Sequence, residues 1–410
     1  MWHNLVNYKV RQNYCGPTCC PSLGKQFLLT TNNFLLQPML RHTLKALVFI
    51  LFFPVCLQAQ YTIRGVVTDA ETGETLPFAN VFFAETTYGV STDSEGRYVL
   101  NVTDPGTYDL IARFVGYQTY AISIRISEER DLRLDMALKP EEVNLGSVVV
   151  TAKKDKDWER YMVIFKELFL GYSANAAKCK ILNEQAIDFY FDKKSNTLYA
   201  FAEEAIKVEN KGLGYMLEYY LEDFSMNYSS MLSLYYGYTV FTEMKPRSKR
   251  QLRRWEENRE IAYKGSLQHF FASAFKGRLE EEGYIIQEAK DIKGGRVLNP
   301  NPMDLSGVLR QGQSQLSVQL PFENYLYVTY TREGQSEEFR QFNNPSGLSL
   351  SVSATRVGEQ VSWISLVEGK KAIEFESSGY VYDPISFITQ GYWGFEKVAD
   401  MVPINYKPRQ

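Results

Sequence analysis

From Tyr61 onward the chain alternates apolar and polar residues in short runs, the pattern of strands with one face turned to a core. Thr62–Asp69 is rich in β-branched residues, Ala70-Glu71-Thr72-Gly73-Glu74 supplies turn chemistry, and a second apolar run fills Ala79–Phe83. This predicts strand, loop, strand. Gly89–Val102 places Asp93-Ser94-Glu95-Gly96 between Val90 and the alternating Tyr98, Leu100 and Val102, which predicts a hairpin with glycine at a positive φ. Three further runs follow: Tyr108, Leu110, Ala112 and Phe114; Ile122, Ile124 and Ile126; Leu132, Leu134, Met136 and Leu138. Turn signals at about ten-residue spacing indicate an antiparallel sandwich of roughly seven strands over 60–138.

Beyond Lys139 the period changes. Residues 139–156 read as a linker that contains Val148, Val149, Val150, Thr151 and Ala152. That segment is either a last strand or an extended connector, or a strand offered to the sheet edge of a partner. Trp158, Tyr161, Met162, Phe165, Leu168 and Phe169 then recur at helical spacing up to Gly171, an amphipathic helix with its stripe in the core. Strands return at Ile187–Phe191 and Leu198–Ala202, followed by a long hairpin of Tyr215–Tyr228 with Met231–Met244. A second amphipathic helix carries Tyr263, Leu267, Phe270, Phe271 and Ala274 as its stripe, and Tyr325–Tyr330, Leu348–Thr355, Val361–Val367 and Ala372–Phe375 read as antiparallel strands. The fold class is therefore mainly β with an α+β part: the sandwich, then an α+β domain over 157–410.

The second helix is preceded by Lys245, Arg247, Lys249, Arg250, Arg253 and Arg254, with Glu256, Glu257 and Glu260 directly after. The bland reading is a solvated face with i,i+4 pairing; the sharper one is contact with an anionic lipid head group or glycan. The first 59 residues hold five basic and no acidic residues, so without them the chain has 40 basic against 48 acidic side chains, a net charge of −8. That balance gives no global reason to bind nucleic acid.

Residues 1–59 read as a leader. Met39–Lys45 is a positive n-region, Ala46–Phe53 an apolar h-region and Leu57-Gln58-Ala59 a small-residue cleavage site, with translation starting at Met39, or at Met1 with an unusually long n-region. The apolar run is too short to span a bilayer. An exported, envelope-located protein follows, open to membrane association but without a transmembrane helix in the processed chain. Four of the five cysteines lie in the leader, leaving Cys179 and no internal disulfide.

The runs Ile63-Arg-Gly-Val-Val-Thr-Asp-Ala-Glu-Thr-Gly-Glu-Thr-Leu-Pro-Phe-Ala-Asn-Val81, Ser91-Thr-Asp-Ser-Glu-Gly-Arg-Tyr98 and Val115-Gly-Tyr-Gln-Thr119 resemble the carboxypeptidase-regulatory-like domain of Bacteroidota envelope proteins. The resemblance implies a prealbumin-like Greek-key sandwich without a peptidase site of its own. It covers 60–138 and speaks for fold more than for function. Trp158 onward is similar to the region that accompanies this domain in some Bacteroidota proteins, and Val148–Ala152 resembles the segment that outer-membrane transporters offer to the energy-transducing protein TonB.

Candidate chemistry is sparse. Only His269 lies beyond the leader, whereas a carboxypeptidase-type zinc site needs two histidines and a carboxylate. No G-x-S-x-G, GxGxxG or GxxxxGK[ST] motif occurs. Asp93 and Glu95 lack the oxygen cage that calcium needs. Glu203-Glu204, Glu280-Glu281-Glu282 and Glu337-Glu338 are adjacent runs, which mark solvated faces more often than a converging acid and base. The sequence reading is a non-catalytic binding or scaffold protein with no cofactor, whose partner is an envelope protein or a surface glycan. Two alternatives stand beside it: a carboxylate-dependent hydrolase in the C-terminal domain, and a TonB-linked accessory protein using Val148–Ala152.

Overall fold

The computed structural model describes residues 61–126, 131–141, 157–293, 295–343 and 358–409. The leader, the Val148–Ala152 segment and the Leu348–Thr355 strand lie outside them.

Eight strands form the N-terminal sandwich: β1 (Tyr61–Asp69), β2 (Asn80–Phe83), β3 (Gly89–Ser91), β4 (Arg97–Val102), β5 (Gly106–Arg113), β6 (Tyr120–Ile126), β7 (Asp131–Arg133) and β8 (Met136–Leu138). One sheet runs β4-β1-β7 with β8 also on β1, and the other runs β3-β2-β5-β6. Ile63, Val67, Val81, Phe83, Leu100 and Leu110 close the core between them. The expected hairpin over Gly89–Val102 does not form. β3 pairs with β2, while β4 pairs with β1 at Ile63↔Leu100, so Asp93–Gly96 carries the chain from one sheet to the other. Gly96 makes the turn at φ 71°, where a Cβ would stand 2.9 Å from the Val67 carbonyl oxygen. Crossing over lets Tyr98, Leu100 and Val102 fill the core from the opposite side.

The next sheet is built on the long strand β13. Its members are β9 (Cys179–Ile181), β10 (Ile187–Asp192), β11 (Thr197–Ala202), β12 (Ile206–Asn210), β13 (Tyr215–Asn227) and β14 (Leu232–Glu243). β13 pairs with β12 and then β11 along one edge and with β14 along the other. Helix α1 (Trp158–Leu170) lays Tyr161, Met162, Phe165 and Phe169 on this sheet, the stripe that its spacing predicts.

The second expected helix is two helices. α2 (Lys249–Tyr263) and α3 (Leu267–Phe275) are separated by Gly265 at φ 80°, and Ser266 caps α3 by accepting from His269 N–H at 3.2 Å. The break re-aims the chain: Ala262 and Tyr263 join the core beneath β13, while Phe270 and Phe271 enter the next one. α2 also clasps the β12–β13 turn. Trp255 Nε1 donates to Lys211 O at 2.8 Å, Asn258 Nδ2 to Gly212 O at 2.7 Å, and Arg259 donates Nε to Leu213 O at 2.7 Å and Nη2 to Gly214 O at 3.1 Å.

The remaining strands are β15 (Tyr284–Ile292), β16 (Gly295–Leu298), β17 (Arg310–Gln311), β18 (Ser317–Pro321), β19 (Tyr325–Gly334), β20 (Glu359–Leu366), β21 (Ala372–Glu376) and β22 (Phe387–Gly391), with α4 (Glu337–Asn343) and α5 (Tyr392–Phe395). They make a five-stranded sheet, β16-β15-β19-β20-β22, and a three-stranded one, β17-β18-β21. Ile286, Leu326, Ile364 and Phe375 pack with Phe270, Phe271 and Trp393 in their shared core. No helix of the described residues is long and apolar enough to cross a membrane.

The sandwich is seated on this body. Thr86 forms a parallel bridge with Val240 of β14, Glu85 N–H donates to Thr239 O at 2.6 Å, and Ile404 N–H donates to Glu85 O at 2.6 Å. Phe82 stacks on Tyr220 at 5.0 Å. Burial therefore reaches both faces of β5, where Leu110, Ile111 and Ala112 are all inside. The uninterrupted apolar triplet is the sequence trace of that double covering.

Candidate ligand-binding face

One face of the five-stranded sheet is the core just described; the other carries a row of rings and planar polar groups. Alternation along each strand decides which residues share it. Gln287 of β15 stands opposite Tyr327 of β19, Tyr327 opposite Trp363 of β20, and Trp363 opposite Gln390 of β22. One pleat along, Tyr325 and Ser365 pair on the same face, and Asp291 pairs with Arg296 of β16. All five strands contribute to one transverse band.

The geometry is held from within. Tyr327 and Trp363 meet edge to face at 4.6 Å between centroids, and Tyr325 meets Trp363 at 6.4 Å. The Arg296 guanidinium lies 3.9 Å from the Tyr325 ring centroid and 5.0 Å from that of Trp363. Its Nη1 donates to Gln390 Oε1 at 2.9 Å and its Nε lies 3.7 Å from Asp291 Oδ1, while Tyr325 Oη donates to Asp291 Oδ2 at 2.9 Å. Such stacking fixes a guanidinium plane while leaving donors to spare, since Arg has five N–H groups. Tyr325, Tyr327 and Trp363 are half-buried.

Asp291, Tyr325 and Ser365 also border a cleft of about 1120 Å³ whose walls carry charges of both signs, Glu288, Lys290, Arg310, Glu323, Glu368 and Lys371 among them. Ring surfaces beside amide, guanidinium and carboxylate groups suit a flat, hydroxyl-rich ligand: apolar C–H faces lie on the rings and hydroxyls bond to the planar polar groups.

The other candidate residues fall elsewhere. Lys245, Arg247, Lys249, Arg250, Arg253 and Arg254 are exposed at the start of α2. Asp93 spends its carboxylate on its own turn, accepting from Glu95 N–H and Arg97 N–H at 2.9 Å each; these bonds hold its pKa below the usual range. His269 is buried, only 5% exposed. Its Nδ1 accepts from Gly265 N–H at 3.1 Å and lies 2.9 Å from Tyr284 Oη, and Nε2 faces Glu282 at 3.5 Å. Burial lowers its pKa despite that carboxylate, so it acts as a neutral brace of the α2–α3 turn. Burial pushes the Cys179 thiol up to about 12, which removes it as a nucleophile. Glu203, Glu204, Glu280 and Glu281 are exposed.

The strongly perturbed acids are ones that sequence patterns miss. At the seat of the sandwich, burial and nearby Asp109 push Glu85 up to about 7, and Tyr380 Oη donates to Asp109. Burial raises Glu396 well above the carboxylate range and also raises Asp400, although Ser173 and Asn175 donate to Asp400 at 2.8 and 3.0 Å. None of these lines the cleft. Arg259 left one trace, as a cation placed on the buried stripe between Trp255 and Ala262; the ring row left another, as Tyr325, Tyr327 and Trp363 on the outward parity of their strands.

A family model of the CarboxypepD_reg-like domain matches residues 63–150. No curated protein matches the chain. Among solved structures, a chlorocatechol 1,2-dioxygenase from Pseudomonas putida is similar over 20% of this chain at 16% identity and a TM-score of 0.16; the match spans 60% of that enzyme's length. A DUF3823 family protein from Bacteroides ovatus is similar over 45% of this chain and 82% of its own, at 12% identity and a TM-score of 0.17. A candidate carbohydrate-binding protein from Bacteroides uniformis is similar over 45% and 79%, at 13% identity and a TM-score of 0.17. Likenesses this low transfer no activity to the chain.

Proposed function

We propose that the protein is a non-catalytic binding module of the cell envelope and that it takes a glycan on the outward face of the β16-β15-β19-β20-β22 sheet. The observation that carries this reading is the band of Tyr325, Tyr327 and Trp363 with Arg296, Asp291, Gln287 and Gln390, contributed by all five strands and continuous with the cleft. Binding needs pre-positioned rings and planar polar groups on rigid strands, and this band supplies both. The CarboxypepD_reg-like match over 63–150 supports a binding or regulatory part for the sandwich, which serves here as a support seated on the body.

The test is calorimetry and tryptophan fluorescence of the full chain against a panel of neutral and acidic oligosaccharides. A positive ligand should lose about tenfold or more in affinity with Trp363→Ala, the scale of a central aromatic contact. A ligand bound equally well by Trp363→Ala and Arg296→Gln refutes the assignment of the face. Turnover of any panel member abolished by one carboxylate substitution refutes the non-catalytic reading.

A further inference from the structure

Helix α2 opens against its own dipole. Its first turn carries Lys249 and Arg250 and no acid, where the partial positive charge of the helix end favours anions. Capping rescues the start: Gln251 N–H donates to Ser248 Oγ at 3.2 Å and Arg247 N–H donates to Gln251 Oε1 at 2.7 Å. Lys245, Arg247, Lys249, Arg250, Arg253 and Arg254 are all exposed. Among the described residues only Arg253 of the six has an acidic partner, Glu257 at 3.0 Å. The nearby acids are already engaged, Glu256 with Arg409, Glu243 with Arg259 and Glu260 with Lys264. Cations concentrated this way in a net-acidic chain repel one another and draw in an anionic surface.

The outward stripe of α2 is Arg250, Arg254, Glu257 and Ile261, at i, i+4, i+7 and i+11. Ile261 is 60% exposed. Ile261 stands two turns beyond Arg254 on the same face, with Glu257 between them; an exposed apolar side chain in line with unpaired cations has something to gain from lipid and nothing from a soluble polyanion. We propose that this outward face of α2, with Lys245 and Arg247 at its foot, docks on an anionic lipid surface. It is a second contact, separate from the ring face.

Co-sedimentation of the full chain with vesicles tests it, using equimolar phosphatidylglycerol and phosphatidylethanolamine in one arm and phosphatidylcholine in the other. Binding to the anionic vesicles only, weakening as salt rises, is expected. Each cation near such a surface is worth roughly fivefold, so Lys249→Gln, Arg250→Gln and Arg254→Gln together should cost roughly 100-fold. Ile261→Ser should lower affinity and leave the salt slope unchanged. All four positions are exposed, and circular dichroism confirms that each variant folds. Equal binding to phosphatidylcholine, an unchanged triple variant, or capture by a soluble sulfated polysaccharide with no vesicle binding would overturn the proposal. Trp363→Ala should leave vesicle binding intact, which keeps the two surfaces separable.

Discussion

Replacing Arg259 by Met tests the clasp of α2 on the β12–β13 turn. Arg259 is buried, with its guanidinium 3.9 Å from the Tyr215 ring centroid. Met keeps most of the apolar stem and removes the fork. The Leu213 carbonyl loses its donor in a buried site, worth about 1–3 kcal/mol. The Gly214 carbonyl keeps a second donor in Met244 N–H at 2.9 Å, so its loss is about 1 kcal/mol or less. The cation–π contact adds about 1 kcal/mol. The Glu243 pair, with the glutamate exposed, adds little, and relief of a buried charge offsets part of the sum. The net expectation is about 3 kcal/mol. Urea titration followed by fluorescence should show a lower midpoint at an unchanged m-value, and heating should show Tm lower by roughly 4–6 °C. Arg259→Lys should recover only part, because a single ammonium cannot reach both carbonyls with the same geometry. A loss below about 1 kcal/mol in Arg259→Met would refute the view that the clasp matters to stability.

Stability should fall as pH rises from the ordinary carboxylate range to about 7, because folded Glu85 holds its proton to about 7 while the unfolded chain releases it earlier. Glu85→Gln should flatten that slope and raise stability at pH 8; an unaltered pH profile would count against the half-buried, proton-bearing carboxyl. Nitrogen NMR of His269 should show the ring mainly neutral at about pH 6.5, where an ordinary imidazole is half-charged, with Nδ1 unprotonated, since Gly265 N–H donates to it; a mainly charged ring there would contradict the neutral brace.

Much of the sheet content was legible because half-buried strands alternate, as β4 shows with Tyr98, Leu100 and Val102 inward. Partnership was not legible. The turn Asp93–Gly96 has hairpin chemistry, yet residue types cannot say whether the flanking strands pair with each other or with strands far away. The break at Gly265 was hidden for a related reason: the apolar stripes on its two sides keep helical spacing while serving different cores. The ring face could be assembled only once the registers of β15, β19, β20 and β22 were known, because its members come from positions 287 to 390. Each ring alone reads as ordinary cross-strand packing.

The seat of the sandwich has a consequence for the order of folding. Its contacts are among the most distant along the chain: Thr87 N–H donates to Asn405 across 318 positions and Lys407 pairs with Asp104 across 303. The β13–β14 hairpin, by contrast, closes over residues 228–231. Contacts of such long range form slowly, because the intervening chain must be ordered before they reward closure. The contact ranges therefore predict that hairpins and sandwich take shape first and that residues 85–104 lock against 404–407 last; deleting the Thr87–Asn405 contact should speed unfolding and leave the folding rate nearly unchanged, and an equal slowing of folding would contradict this order.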